Sequence, residues 1–214
     1  KQAAIMMVNK MRPSDQISVV AYDDRADLIV PSTLCNNKQA IITAIQNIYE
    51  GGLTNLHKGW LMGAEQVAMK KAAKSINRVL LLSDGNANEG LTDVSELKNQ
   101  CSRLAETNIT TSTYGLGSSF NEELMIKMAG AGLGHSYYGQ TSTDLMDPFN
   151  EEFETLLNTI ATEIQVTSEN PNFVNLELMN NYNITASNDH LLKFKLPDLA
   201  ENGEAWALFK IKIS

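Results

Sequence analysis

An apolar run, Val79-Leu80-Leu81-Leu82, stops abruptly at Ser83-Asp84-Gly85. Four consecutive apolar residues without polar alternation, bounded by turn chemistry, suit a strand buried on both faces of a parallel sheet. In open α/β sheets ligands gather beyond the carboxyl ends of the strands, and Asp84 stands where this strand stops. A carboxylate there is a natural ligand for a hard cation such as Mg²⁺, which prefers oxygen donors.

The rest of the chain supplies the other layers. Ala4, Ile5, Val8 and Met11 follow helical spacing, and Pro13-Ser14-Asp15 turns the chain. Ile17 to Tyr22 reads as a strand, Asp23-Asp24-Arg25 as a turn, and Ala26 to Val30 as the returning strand, ended by Pro31. Asn37 to Ile48 is an amphipathic helix with Ile41, Ile42, Ile45 and Ile48 on one face. Gly51-Gly52-Leu53-Thr54-Asn55 is a loop, and His57 to Lys74 is a longer helix. Thr92 or Asp93 caps a helix running to about Glu106. Ile109 to Leu116 is a strand, Asn121 to Ala129 a helix, and His135 to Tyr138 a short strand. Thr143-Asp144 caps a last helix to about Ile164. This repeated alternation implies an α/β fold, a doubly wound and mostly parallel sheet with helices on both faces.

Beyond Gln165 the pattern changes. Val174 to Leu178, Tyr182 to Thr185, Leu191 to Leu196 and Ala205 to Ile213 read as strands separated by Asn, Asp, Gly and Pro. The expected organisation is therefore an α/β domain over 1–164 and a β-rich segment over 165–214, part of a β-sandwich, since four strands rarely make one alone.

Composition narrows the function classes. The formal charge of −8 and pI near 4.9, with no Lys/Arg cluster, argue against a nucleic-acid-binding surface. No apolar stretch reaches membrane-spanning length. Cys35 and Cys101 make no metal pattern and read as free, partly buried thiols. No Gly-x-Ser-x-Gly elbow accompanies Ser83-Asp84, so hydrolase chemistry has no readable support. Asp84 to Ser95 departs from an EF-hand loop, with Glu89 where glycine is required and Ser95 where glutamate is required. His57 reads as a surface or capping histidine, His135 and His190 lack partners at ligand spacing, and Glu151-Glu152-Phe153-Glu154 reads as a solvated helix face.

Two loops are expected to converge: Gly51-Gly52-Leu53-Thr54-Asn55 before a helix, and Ser83-Asp84-Gly85 after a strand. Together they resemble the von Willebrand factor type A domain over roughly Lys1 to Ile164. That family builds a metal-ion-dependent adhesion site, or MIDAS, from an Asp-x-Ser-x-Ser loop, a Thr, and an Asp followed by Gly. The resemblance implies that Thr54 and Asp84 hold Mg²⁺ or Mn²⁺, with Ca²⁺ a further candidate, supported by Gly51, Gly52, Asn55 and Gly85. It also implies a protein partner that completes the shell with a Glu or Asp carboxylate, and a binding rather than an enzymatic role. The Asp-x-Ser-x-Ser loop is absent, and Ser14-Asp15-Gln16-Ile17-Ser18 lies in the wrong place to replace it. The family's strand before that loop lies between the strands Ile17–Tyr22 and Arg78–Ser83, so the resemblance implies an N-terminally incomplete domain. The alternative is a metal-independent structural or assembly module with a degenerate site. Leu196-Pro197-Asp198-Leu199-Ala200-Glu201-Asn202-Gly203-Glu204, followed by an alternating strand, is similar to the β-rich segment that follows this domain in bacterial members.

Overall fold

The structure, a computed structural model, describes residues 1–49, 51–72, 75–141, 143–180, 182–188 and 190–213. Its α/β part begins with α1 (Gln2–Lys10), followed by the antiparallel hairpin β1 (Gln16–Tyr22) and β2 (Ala26–Leu34). Next come α2 (Lys38–Gln46), α3 (Leu56–Met69), β3 (Arg78–Ser83), α4 (Val94–Glu106), β4 (Thr110–Leu116), α5 (Glu122–Ala131), β5 (Leu133–Gly139) and α6 (Met146–Leu157). β3, β4 and β5 form a parallel sheet in the order 3-4-5, with Leu80 opposite Ser112 and Thr113 opposite Ser136.

Successive residues of β3 face opposite layers, as strand geometry requires. Val79 and Leu81 pack with Leu56, Trp60 and Ala64 of α3, Leu97 and Cys101 of α4, and Leu124, Met125 and Met128 of α5. Leu80 turns the other way, toward Tyr114, Phe149 of α6 and the α1 residues Met6 and Met7. A further apolar cluster joins Val8, Ile17, Val30, Ile41, Ile45 and Phe153 under the hairpin. The sheet is thus covered on both faces, as the alternation of elements demands. Both cysteines are free and buried.

Several boundaries differ from expectation. β2 continues through Pro31 to Leu34 instead of ending there. The β1–β2 register shifts between Ile17 and Val20, so Pro31 falls in an irregular stretch of a two-stranded ladder, where its missing N–H is tolerated. α3 stops at Met69, and the expected end at Lys74 lies outside the described residues. α6 has no side-chain cap. The Asp144 carboxylate instead accepts from Thr141 N–H at 2.8 Å and closes a turn before the helix. α6 ends at Leu157 rather than Ile164, because Thr159–Ala161 forms a short strand, β6, paired with Leu199–Ala200.

After α6 all elements among the described residues are strands. β7 (Gln165–Glu169), β8 (Val174–Leu178), β9 (Ile184–Asn188), β10 (Leu191–Lys195), β11 (Leu199–Ala200) and β12 (Phe209–Ile213) form antiparallel pairs, with β7-β10-β9 the widest sheet. β7 and β11 carry too little apolar alternation to stand out in the sequence, and β12 starts at Phe209 rather than Ala205.

The acidic run on α6 is not a solvated face. Glu152, with 1% of its side chain exposed, is buried against the start of β3. Arg78 Nη1 donates to it at 2.6 Å, Ser112 Oγ at 2.6 Å and Tyr137 OH at 2.9 Å, and His135 Nδ1 lies 3.0 Å away. Arg78 Nη2 also reaches Asp198 at 3.3 Å. Burial pushes the Glu152 carboxyl up, but His135, the Arg78 guanidinium and the Ser112 hydroxyl outweigh it and hold the group down at about 2. Burial prevails at Asp198, whose carboxyl is raised despite Arg78.

Candidate functional site

The opposite end of β3 carries the two expected loops, and they meet. Asn55 caps α3 by accepting from Lys58 N–H at 3.1 Å, which fixes the residue after Thr54 at the helix entrance. Asn55 N–H in turn donates to the Asp23 carbonyl at 2.6 Å, tying this loop to the β1–β2 turn. The loop after β3 folds onto Thr54 directly. Thr54 N–H donates to Asn88 Oδ1 at 2.9 Å, and the Thr54 carbonyl accepts from Asn88 N–H at 3.2 Å and Glu89 N–H at 3.3 Å.

Glycines permit this closeness. A Cβ on Gly85 would lie 2.8 Å from Thr54 Oγ1, and one on Gly51 would overlap the Asp23 carboxylate. Gly90 has φ +70°, and a Cβ there would lie 2.6 Å from Asn55 Oδ1, a conformation and a closeness that only glycine accepts easily. Gly52 has open space around it and makes no such contact.

Thr54 is half-buried and Asp84 exposed. Among the described residues, no hydrogen bond engages Thr54 Oγ1 or the Asp84 carboxylate, whereas both backbone groups of Thr54 are used. Both are hard-oxygen donors, the type that Mg²⁺ and Mn²⁺ take, and they stand on loops joined through Thr54 and Asn88. Groups of three or more His, Cys, Asp or Glu able to hold an ion are absent among the described residues.

Two neighbours of the site were not legible in the sequence. Asn88 lies in a loop of unremarkable polar residues. Tyr22 reads as the end of a strand, yet its ring lies over Gly59 of α3 and its hydroxyl donates to the Leu82 carbonyl at 2.5 Å. Burial pushes the Tyr22 phenol up to about 12, with the Ser83 hydroxyl opposing and the Asp84 charge adding to the rise. His57 is a helix-entrance residue whose Nε2 lies 2.9 Å from Gln100 Oε1, in keeping with its structural reading.

An α/β sheet covered on both faces, with a Thr loop and an Asp-Gly loop joined at one end of the strands, defines the von Willebrand factor A class of fold. The family model for the von Willebrand factor type A domain matches residues 1–151, and the chain belongs to that family. It is 30% identical over 171 residues to the uncharacterized protein YfbK of Escherichia coli (strain K12), covering 79% of this chain and 30% of that protein. Among solved structures, the von Willebrand factor type A protein from Catenulispora acidiphila superposes with a TM-score of 0.79 at 13% identity, covering 100% of this chain and 52% of that one. Proximal thread matrix protein 1 from the mussel byssus, solved with a zinc-occupied MIDAS motif, gives a TM-score of 0.58 at 18% identity, covering 72% of this chain and 38% of that one. The chain spans 19% to 40% of the length of the curated relatives it matches.

Proposed function

We propose that this chain is a divalent-cation-dependent protein-binding module. Thr54 and Asp84 hold Mg²⁺ or Mn²⁺, with Ca²⁺ a further candidate, and a Glu or Asp carboxylate from a protein partner completes the shell. The observation that carries this reading is the closeness of the two loops, with so little room at Gly85 that a Cβ there would lie 2.8 Å from Thr54 Oγ1, so that a free hydroxyl stands beside the loop of a free carboxylate. A hydroxyl and one carboxylate neutralise a divalent ion only partly, so the bound ion attracts an anionic group from outside. Membership of the family supports an interaction role, and the zinc-occupied motif of the mussel protein shows that a relative of this fold takes a divalent ion. The role is read as binding rather than enzymatic. The β-rich segment 165–214 follows this module and is tied to it by the β6–β11 ladder and the Arg78–Asp198 ion pair.

Calorimetric titration of Mn²⁺ into the full-length protein tests the reading, with Asp84→Ala and Thr54→Ala alongside. Saturable binding lost in both variants supports it. Equal heats in parent and variants sink it.

A second reading, a structural or assembly module working without metal, is favoured by the lack of any group of three His, Cys, Asp or Glu ligands among the described residues. It predicts a folded protein that binds its partner equally well in excess chelator.

A further inference from the structure

We propose that Asn88 is a positioning residue that presents the Thr54 hydroxyl to the bound cation. The inference rests on the reading of Thr54 and Asp84 as cation ligands and adds a residue to it. A threonine ligand is useful only if its backbone is fixed, because rotation about φ and ψ swings Oγ1 away from a site of demanding geometry.

At Thr54 that constraint comes from a single neighbouring dipeptide. The side chain of Asn88 accepts from Thr54 N–H at 2.9 Å. The Thr54 carbonyl is held by Asn88 N–H at 3.2 Å and Glu89 N–H at 3.3 Å. The side-chain amide therefore mimics a backbone acceptor and closes a two-sided clamp, so both polar backbone groups of Thr54 are satisfied from the loop that also carries Asp84. The clamp fixes the spacing of the two ligand loops as well as the orientation of the hydroxyl. One residue on, Asn55 and Gly90 repeat the arrangement sterically, since any side chain at Gly90 would strike the Asn55 amide.

Asn88 is itself exposed and belongs to no apolar cluster, so its side chain supports no part of the core. That separates positioning from stability. A surface substitution of this kind shifts Tm by no more than about 2 °C. The loss of one hydrogen bond to a ligand's backbone corresponds to roughly three- to tenfold in an equilibrium.

The test uses the full-length protein and Mn²⁺ as probe. Two quantities are measured: the Mn²⁺ Kd by calorimetry, and the exchange rate of the Thr54 amide by NMR in metal-free buffer. Asn88→Ala is expected to weaken Mn²⁺ roughly three- to tenfold and to speed Thr54 exchange by a similar factor. Asn88→Asp retains an acceptor oxygen at the same position and is expected to restore slow exchange, which a general loosening of the loop would not do. The proposal is overturned if Asn88→Ala leaves either quantity at its parent value, or if Asn88→Asp fails to restore exchange. Failure of the underlying metal reading looks different: Thr54→Ala and Asp84→Ala then leave Mn²⁺ binding intact. The clamp is in that case overturned as a ligand-positioning device whatever the exchange rates show.

Discussion

Replacing Glu152 by Gln removes one charge from the interior and keeps the shape, so its cost measures what the ionised carboxylate contributes. The group has 1% of its side chain exposed and is within hydrogen-bond distance of Arg78, Ser112, Tyr137 and His135. Its carboxyl is held at about 2 against an ordinary 4.5. At about 1.4 kcal/mol per unit, that shift corresponds to roughly 3 kcal/mol of folding free energy. Breaking a buried ion pair by removing one partner costs about 3–5 kcal/mol. The lower end applies here, because Asp198 still faces Arg78. The sign follows from the direction of the shift. With the folded value below the unfolded one, the contribution is fully present above about pH 4.5 and is lost as the pH falls toward 2. Asp198 acts in the opposite sense: its raised carboxyl favours the folded state in acid, and this is lost as pH rises through its folded value. Asp198 is present in parent and variant alike, so this contribution largely cancels in the difference between them. Urea unfolding followed by the fluorescence of buried Trp60 should show a loss of about 3 kcal/mol at pH 7 that shrinks steadily below pH 4. A variant within about 0.5 kcal/mol of its parent at pH 7, or a gap that stays constant down to pH 2.5, refutes the reasoning.

Three further outcomes follow from single contacts. Gly85→Ala places a methyl group 2.8 Å from Thr54 Oγ1, so calorimetry should show Mn²⁺ binding weakened at least tenfold, on the order of 1.4 kcal/mol, with Tm little changed. Gly134→Ala would set a Cβ 2.2 Å from the Thr111 carbonyl of the central strand; backbone cannot yield there, and a loss of more than about 2 kcal/mol is expected in urea unfolding. Asp93→Ala removes the acceptor that caps α4 at Glu96 N–H, 2.8 Å away, and should cost about 1 kcal/mol in the same assay without affecting Mn²⁺ affinity.

Patterns that repeat locally were legible. Asp93 caps the helix that follows, as one of the two residues expected there, and β3 and β8 fall where apolar runs place them. The positions of Thr54 and Asp84 could be read because each stands at the junction of two elements. What escaped depends on contacts across long sequence separations. Glu152 resembles any surface glutamate of an amphipathic helix until Arg78, 74 residues earlier, arrives beside it. The same holds for the polar core of β4: Thr111 is fully buried because the Trp60 indole N–H donates to its hydroxyl at 3.1 Å, and Ser112 because it donates to Glu152. No periodicity announces such pairs, since a buried hydroxyl is tolerated only where its partner already stands. Asn88 was missed for the same reason, its partner lying 34 residues away in another loop.

The hairpin and the parallel sheet share no ladder among the described residues: β1 pairs only with β2, and β3 only with β4. What aligns them is α3. Its Gly59 admits the Tyr22 ring at the end of β1, while Trp60 and Ala64 pack in the cluster that holds Val79 and Leu81 of β3. Tyr22 closes the junction by donating to the Leu82 carbonyl, two residues before Asp84. The same helix begins at Asn55, so the element that sets the spacing of β1 and β3 also carries Thr54 at its entrance. A helix packed on both parts moves as a rigid body, because its core contacts are close-packed and yield poorly. Thr54 and Asp84 therefore keep a common frame even where no strand hydrogen bonds join the two halves. A substitution that loosens Tyr22 on Gly59 should accordingly weaken Mn²⁺ binding before it unfolds either half.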